Sequence, residues 1–400
     1  MRAAPTFVEY IILCFCLCLG VLSTALASPL YFIYAAEWHI STTQIGYAFI
    51  AYMVGVVFSL LFFNTSTSKY GFKKVVMTGL FICIGSLIYS ALAPNIWHLC
   101  LARFLIGISS GLLSTSTIIG LGLKFPFKNK VNAGKISSVI TVFGFGLGPL
   151  VGGILADHSA YPLSTPYWII AAVSFVTLCL SPLIKYQHIP PAKIAKTKIW
   201  NTPTDLLNKK NFYPCAITAC CAFAVFSLYA ALAGTFISEL PLKQSATLTG
   251  ISISIILFIS TLTQFCLKGL HEAKSLVWGL SCMLLGCFCL IMAQYTSSII
   301  WLMISILMIG LGHGLALNPA YYFIGLMSQK ENPAIFSTFL LIAYQGTIWP
   351  ILLSSIIIDH YGVMASLITF SVLILVAVIW IVGHLQTLKA KSNEIRSVKA

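Results

Sequence analysis

Charged side chains are scarce in this chain, so those standing inside its apolar runs are where chemistry has to be sought. Arg103 lies within the run 97–122 and is the one fixed charge away from the ends of a predicted span. Charge at membrane depth is costly and by default marks function. The plainer reading is that its guanidinium snorkels or satisfies backbone carbonyls. His313 follows Gly310 and Gly312 and precedes Gly314. Imidazole titrates near pH ~6.5, so it can carry a proton under a mild gradient, and small neighbours are expected to leave room for water or substrate beside the ring. Its plainer reading is a hydrogen bond between helices. The nine acids complete the set. Asp205, Glu272, Glu331 and Glu394 fall in basic segments, and Glu37, Asp157, Glu239 and Asp359 at the opposite helix ends. Glu9 lies near the start of the first apolar run, and none falls at mid-depth. A proton carrier would have to be Arg103, His313 or Glu9.

Around these groups, Tyr31, Tyr52, Phe226, Tyr229 and Tyr344 fall near the middle of apolar runs and are candidates to line a cavity, with Asn318 and Gln345 as buried amides beside them. Apolar walls with few polar groups are typical of small-molecule sites; singly, each ring also reads as packing or a lipid contact. No nucleotide-binding GxxxxGK[ST] loop, HExxH or GxSxG occurs, which argues against an enzyme and implies no cofactor. The 13 cysteines lie in apolar runs without CxxC or zinc spacing and read as small hydrophobes, so no metal is expected.

Hydrophobic residues make up 59% of the 400 positions and charged ones 8%, against about a quarter charged in a soluble domain. The fold class is therefore an all-α integral membrane protein. Turn and charge clusters divide it into segments of the roughly 20 residues that a spanning helix needs. They are 7–35, 43–63, 75–93, 97–122, 135–157 and 166–185, then 212–238, 247–267, 275–294, 298–327, 333–358 and 362–385. Residues 1–186 form an N-terminal six-helix bundle and 212–388 a C-terminal one; 187–211 is a basic linker and 389–400 a basic tail. Of the 23 basic residues, all but Arg103 and Lys243 fall on one side, which places both termini in the cytoplasm by the positive-inside rule. That asymmetry explains the net charge of +14 without a nucleic-acid site; the basic linker reads as a cytoplasmic anchor that fixes topology, with binding of anionic membrane lipid as the sharper alternative. Arg2, the apolar run and Ala25-Leu26-Ala27 imitate a cleavable signal, but the run is too long for one, and the first helix is expected to stay.

Gly144, Gly148 and Gly152 recur every four residues, a stripe without side chains that lets another helix approach to backbone distance. Pro149 and Gly153 lie beside it; the proline removes one backbone donor and should bend the helix. Such a helix is a candidate seam on which bundles slide; static packing is the plainer reading. The halves look like copies. Trp97 matches Trp301, Gly107 and Gly111 match Gly310 and Gly314, Pro149 matches Pro350, and Asp157-His158 matches Asp359-His360. The offsets stay between 201 and 204 residues, and six spans per half make the repeats parallel.

Over its whole length the chain resembles the major facilitator superfamily of secondary transporters. Gly144-x3-Gly148-Pro149-x2-Gly152-Gly153 is similar to that family's antiporter signature, common in drug/proton exporters. Arg103-x3-Gly107 resembles its RxxxG motif, whose arginine is implicated in proton coupling. The loop Asn64–Lys74 keeps Lys69, Gly71, Lys73 and Lys74 of the family's cytoplasmic gating loop, but Ser68 stands where an aspartate is usual and Asn64 where a glycine is. The resemblance implies two pseudo-symmetric six-helix bundles. It implies efflux of a small organic or amphipathic compound by a monomer in a bacterial inner membrane, with protons as the exchanged ion. Import or facilitated diffusion of a metabolite on the same fold is the alternative, and a membrane sensor or scaffold that no longer transports is a second.

Overall fold

The computed structural model describes residues 7–63, 66–126, 131–185, 201–241, 243–266, 272–330 and 334–384. Asn64, most of the linker 187–211 and the tail 389–400 lie outside the described residues. Every regular element described is helical. The first apolar run is interrupted: α1 (Phe7–Ala25) gives way to a 3₁₀ turn at Ser28–Leu30 before α2 (Tyr31–Trp38) resumes. Pro29 explains the break, because it has no N–H to continue the α ladder. The run then continues through α3 (Thr42–Phe62), the short α4 (Ser66–Tyr70), α5 (Phe72–Ala91), α6 (Ile96–Leu123), α7 (Val131–Asp157) and α8 (Thr165–Leu180). Two starts are capped as their sequences require. Ser41 and Gln44 form a reciprocal capping box on α3, and the Asn95 side chain accepts from the N–H groups of Trp97 and His98 on α6.

Beyond the linker come α9 (Leu206–Ser238), α10 (Ala246–Cys266), α11 (Glu272–Thr296), α12 (Ile299–Lys330) and α13 (Ala334–His384). Among the described residues, eleven helical stretches are long and apolar enough to cross a membrane. The last holds two of the predicted crossings, because Gly362 has φ 83 and breaks α13 with a backbone angle that only glycine adopts without strain. The boundaries match the twelve predicted spans to within a few residues at most ends.

The chain divides into two compact units. One comprises Met1–Ala195 with Gln244–Ser254, the other Lys196–Lys243 with Ile255–Ala400, so that α10 contributes its first residues to the former and the rest to the latter. Each unit uses the same packing device at equivalent positions. In the first, α6 lays Gly107 against the Tyr52 carbonyl and Gly111 against Ser59 of α3. In the second, α12 lays Gly310 against the Ile256 carbonyl and Gly314 against the Ser260 carbonyl and Thr263 of α10. Likewise Gly144 of α7 abuts Cys18 of α1, and Gly346 of α13 abuts Cys220 of α9; both members of the second pair lie 202 residues beyond those of the first. The internal repeat read from isolated residues is thus also a repeat of contacts. Close backbone approach through small residues is how helices gain packing energy where lipid supplies no hydrophobic drive.

Candidate functional site

Arg103 occupies the eighth position of α6 and has no exposed surface at all. The guanidinium carbon stands 4.9 Å from the ring centroid of Tyr52 on α3, so one face of the cation is covered by an aromatic ring. Its Nε and both terminal nitrogens have no hydrogen-bond partner among the described residues. The buried Tyr31 hydroxyl at the start of α2 is a polar neighbour of the guanidinium, just beyond an ordinary hydrogen bond, and has no other partner among the described residues. Tyr34, one turn on, is satisfied: its hydroxyl meets that of Tyr167 on α8 at 3.2 Å and the Leu163 carbonyl at 3.4 Å. Tyr31 and Tyr52 were both cavity candidates, and the fold brings them to Arg103, with Phe49 linking their rings.

His313 stands near the middle of α12, buried, in the second unit. Its Nδ1 is 2.8 Å from the Ser260 hydroxyl of α10, and Gln264 donates to the same hydroxyl at 3.3 Å. The Ser260 hydroxyl can donate to Nδ1 or accept from Nδ1–H, so this bond is kept whichever ring nitrogen carries the hydrogen. That Nε2 is buried and has no partner among the described residues. The ring of Phe226 lies 5.6 Å away and that of Phe223 6.4 Å away, with Phe223 in turn 5.7 Å from Tyr344. The expected room beside the imidazole is not where the glycines are. A Cβ on Gly312 would come within 2.6 Å of Met283, and one on Gly314 within 2.5 Å of the Ser260 carbonyl, so both serve helix packing. The side of the ring away from the glycines faces Phe226 and Phe223.

The other candidates disperse. Tyr229 is buried near Phe236, and Gln345 holds the exposed Trp349 through a 2.8 Å hydrogen bond. Asn318 is exposed rather than buried. Glu9 pairs with Lys124 at 2.6 Å, both buried, and accepts from the backbone N–H of Lys185 at 3.4 Å. It therefore ties the start of α1 to the end of α6 and to the chain beyond α8. In the gating loop, Gly71 has φ 84 and turns α4 into α5, Lys73 donates to the Pro182 carbonyl at 2.8 Å, Lys69 stacks over Tyr70, and Lys74 is exposed.

The glycine stripe is fully occupied. Gly144, Gly148 and Gly152 lie along α1, where a Cβ on Gly148 would reach within 2.6 Å of the Leu22 carbonyl. The adjoining face of α7, carrying Pro149 and Gly153, meets the first turns of α10: Gly153 abuts the Ala246 carbonyl, and Ser254 donates to the Gly146 carbonyl at 2.6 Å. α7 runs on helically past Pro149. At its end is a contact the sequence did not disclose. The Asp157 carboxylate accepts from the Ser245 hydroxyl at 2.5 Å and from the N–H groups of Ala246 and Thr247 at 3.0 and 2.8 Å, so it caps a helix 89 residues away. Asp157→Ala should cost about 1–2 kcal/mol, the usual worth of a lost N-cap acceptor, and speed amide exchange at Ala246–Thr249. Unchanged melting and exchange would show the cap to be replaceable by water.

The model for the Major Facilitator Superfamily matches residues 13–349. The chain belongs to that superfamily. Among curated relatives, riboflavin transporter RibZ of Clostridioides difficile is 28% identical over 43% of this chain and 40% of its own length. The chain thus aligns with less than half of that protein. Quinolone resistance protein NorA of Staphylococcus aureus is 24% identical over 68% of this chain and 70% of its own. The solved structure of nucleoside transporter NupG superposes with a TM-score of 0.75 at 16% identity, covering 94% of this chain and 98% of that one, which establishes the superfamily fold. The superfamily is one of membrane transporters, not enzymes, and the chain is a multi-pass membrane protein.

Proposed function

We propose that the protein is a secondary transporter that exports a small organic or amphipathic compound by alternating access, in exchange for protons. The observation that carries this reading is His313: a titratable ring buried at mid-helix, anchored at one nitrogen, unpartnered at the other, and facing aromatic side chains. A polar group at that depth is by default functional, and its open nitrogen can meet a proton or a substrate acceptor. Export rather than import is favoured by the antiporter-like run Gly144–Gly153 and by the drug-resistance name of NorA. The protein acts as a monomer in a bacterial inner membrane with both termini cytoplasmic, as its lysine distribution implies.

Inverted membrane vesicles test it. With the lumen acidified, a panel containing a quinolone, riboflavin, an amine and a nucleoside should include at least one compound that accumulates only in vesicles carrying the protein. A cysteine placed at Glu239 should react with impermeant reagent from the outside of intact cells. Accumulation indifferent to the pH gradient would leave a facilitator; no movement of any compound in either direction would favour the sensor or scaffold.

A further inference from the structure

We infer that Arg103 and the Tyr31 hydroxyl recognise a carboxylate on the transported compound, so that the substrate is an organic anion with a flat apolar body. The inference rests on the transport reading above and names the substrate class. Its basis is a buried cation that has no carboxylate partner among the described residues of the first unit. Residues 1–195 contain three acids, and each is placed elsewhere: Glu9 pairs with Lys124, Asp157 caps α10, and Glu37 is exposed on α2. A wholly buried guanidinium cannot remain uncompensated in a span without a large desolvation cost. Five N–H donors in a rigid fork are complementary to a planar carboxylate, which takes two parallel bonds from them.

The surroundings specify more than charge. The Tyr31 hydroxyl interacts with the guanidinium and can donate its own hydrogen to a carboxylate held there, whereas the neighbouring Tyr34 already has its partners. Tyr31 also begins the helix that follows the break at Ser28–Leu30. Irregular backbone at membrane depth is tolerated where it is buried in protein or lines a cavity, and discontinuous helices form substrate sites in transporters. Tyr52 covers one guanidinium face, and Phe49 stands 5.1 Å from Tyr52 and 6.3 Å from Tyr31, centroid to centroid. That wall suits an aromatic or other flat ring attached to the carboxylate.

The test uses the full-length protein in lipid nanodiscs in chloride-free buffer, with benzoate as the probe and benzamide and benzylamine as controls of matching shape. Benzoate should raise the melting temperature saturably, while benzamide and benzylamine should not. Arg103→Gln should remove the benzoate shift, and Arg103→Lys should weaken apparent affinity because a point charge lacks the fork. Tyr31→Phe keeps the ring and the packing. It should leave unliganded melting unchanged and weaken benzoate about tenfold, as expected for one hydrogen bond to a charged group. Equal shifts from benzoate and benzamide, no benzoate shift in the wild type, or a shift retained in Arg103→Gln would each overturn the site. Binding is read here without any gradient. Benzoate binding through Arg103 in a protein that moves nothing in vesicles would therefore refute the transport reading alone. Transport without benzoate binding would refute the carboxylate site alone.

Discussion

Gly148→Leu is expected to lower transport by about 100-fold or more in protein that still reaches the membrane. The missing side chain at this position is what lets α1 lie on α7. A Cβ here would already stand 2.6 Å from the Leu22 carbonyl and 2.9 Å from the Ala25 Cβ, and those atoms are backbone or the rigid first carbon of a side chain. No rotamer of leucine relieves a clash made by its own Cβ, so α1 has to move. Overpacking in a close-packed interior ordinarily costs about 1–3 kcal/mol. Displacing α1 also disturbs what it carries: Glu9 with its Lys124 partner at one end, and at the other the turn that leads to Tyr31 beside Arg103. The effect should therefore exceed that of a simple destabilisation. Gly85→Leu is the control, because nothing lies within 4 Å of a Cβ built there; it should transport within about twofold of wild type. Rates are compared per inserted molecule. A well-inserted Gly148→Leu protein working at the wild-type rate would show the stripe to be static packing.

What could be read from the sequence was whatever depends on local pattern. Spans follow from apolar length, and the junction at Gly362 falls where Asp359-His360 already interrupts the apolar run. The repeat was visible because close-approach glycines cannot be replaced without changing the backbone contact, as Gly144 with Cys18 and Gly346 with Cys220 now show. Pattern also identified Arg103 and His313 as groups needing an explanation. It did not say what lies across from them. Tyr34 and Tyr167 meet over 133 residues of sequence, Ser260 and His313 over 53, and Asp157 and Thr247 over 90. Such pairs depend on which helix faces which and at what height, and a hydropathy profile carries neither. The inference that glycines beside His313 make room failed for the same reason. A glycine marks close approach, but only the partner decides whether the space is filled by helix or left open, and here Met283 and the Ser260 carbonyl fill it.

The same geometry decides what His313→Gln should do. Glutamine presents a donor and an acceptor close to where the imidazole does, so the bond to Ser260, itself held by Gln264, can be kept. The aromatic side formed by Phe226 and Phe223 is left in place. What disappears is a group able to hold or release a proton near neutral pH. Folding and downhill exchange of substrate are therefore expected to persist, while accumulation driven by an imposed pH gradient should fall to the level of protein-free vesicles. The other two candidates are engaged by their surroundings. Arg103 is faced by the Tyr52 ring and the Tyr31 hydroxyl, and Glu9 is engaged by Lys124 and by the Lys185 backbone N–H. That leaves the unpartnered Nε2 of His313 as the position where a proton can arrive and leave without breaking an ion pair. The measurement is counterflow of labelled substrate without a gradient, set beside uptake with only a pH difference across the vesicle membrane. If His313→Gln still concentrates substrate when pH alone drives it, the proton travels elsewhere. Glu9→Gln is then the variant that must lose the response, because Glu9 is the buried carboxylate among the described residues of the first unit.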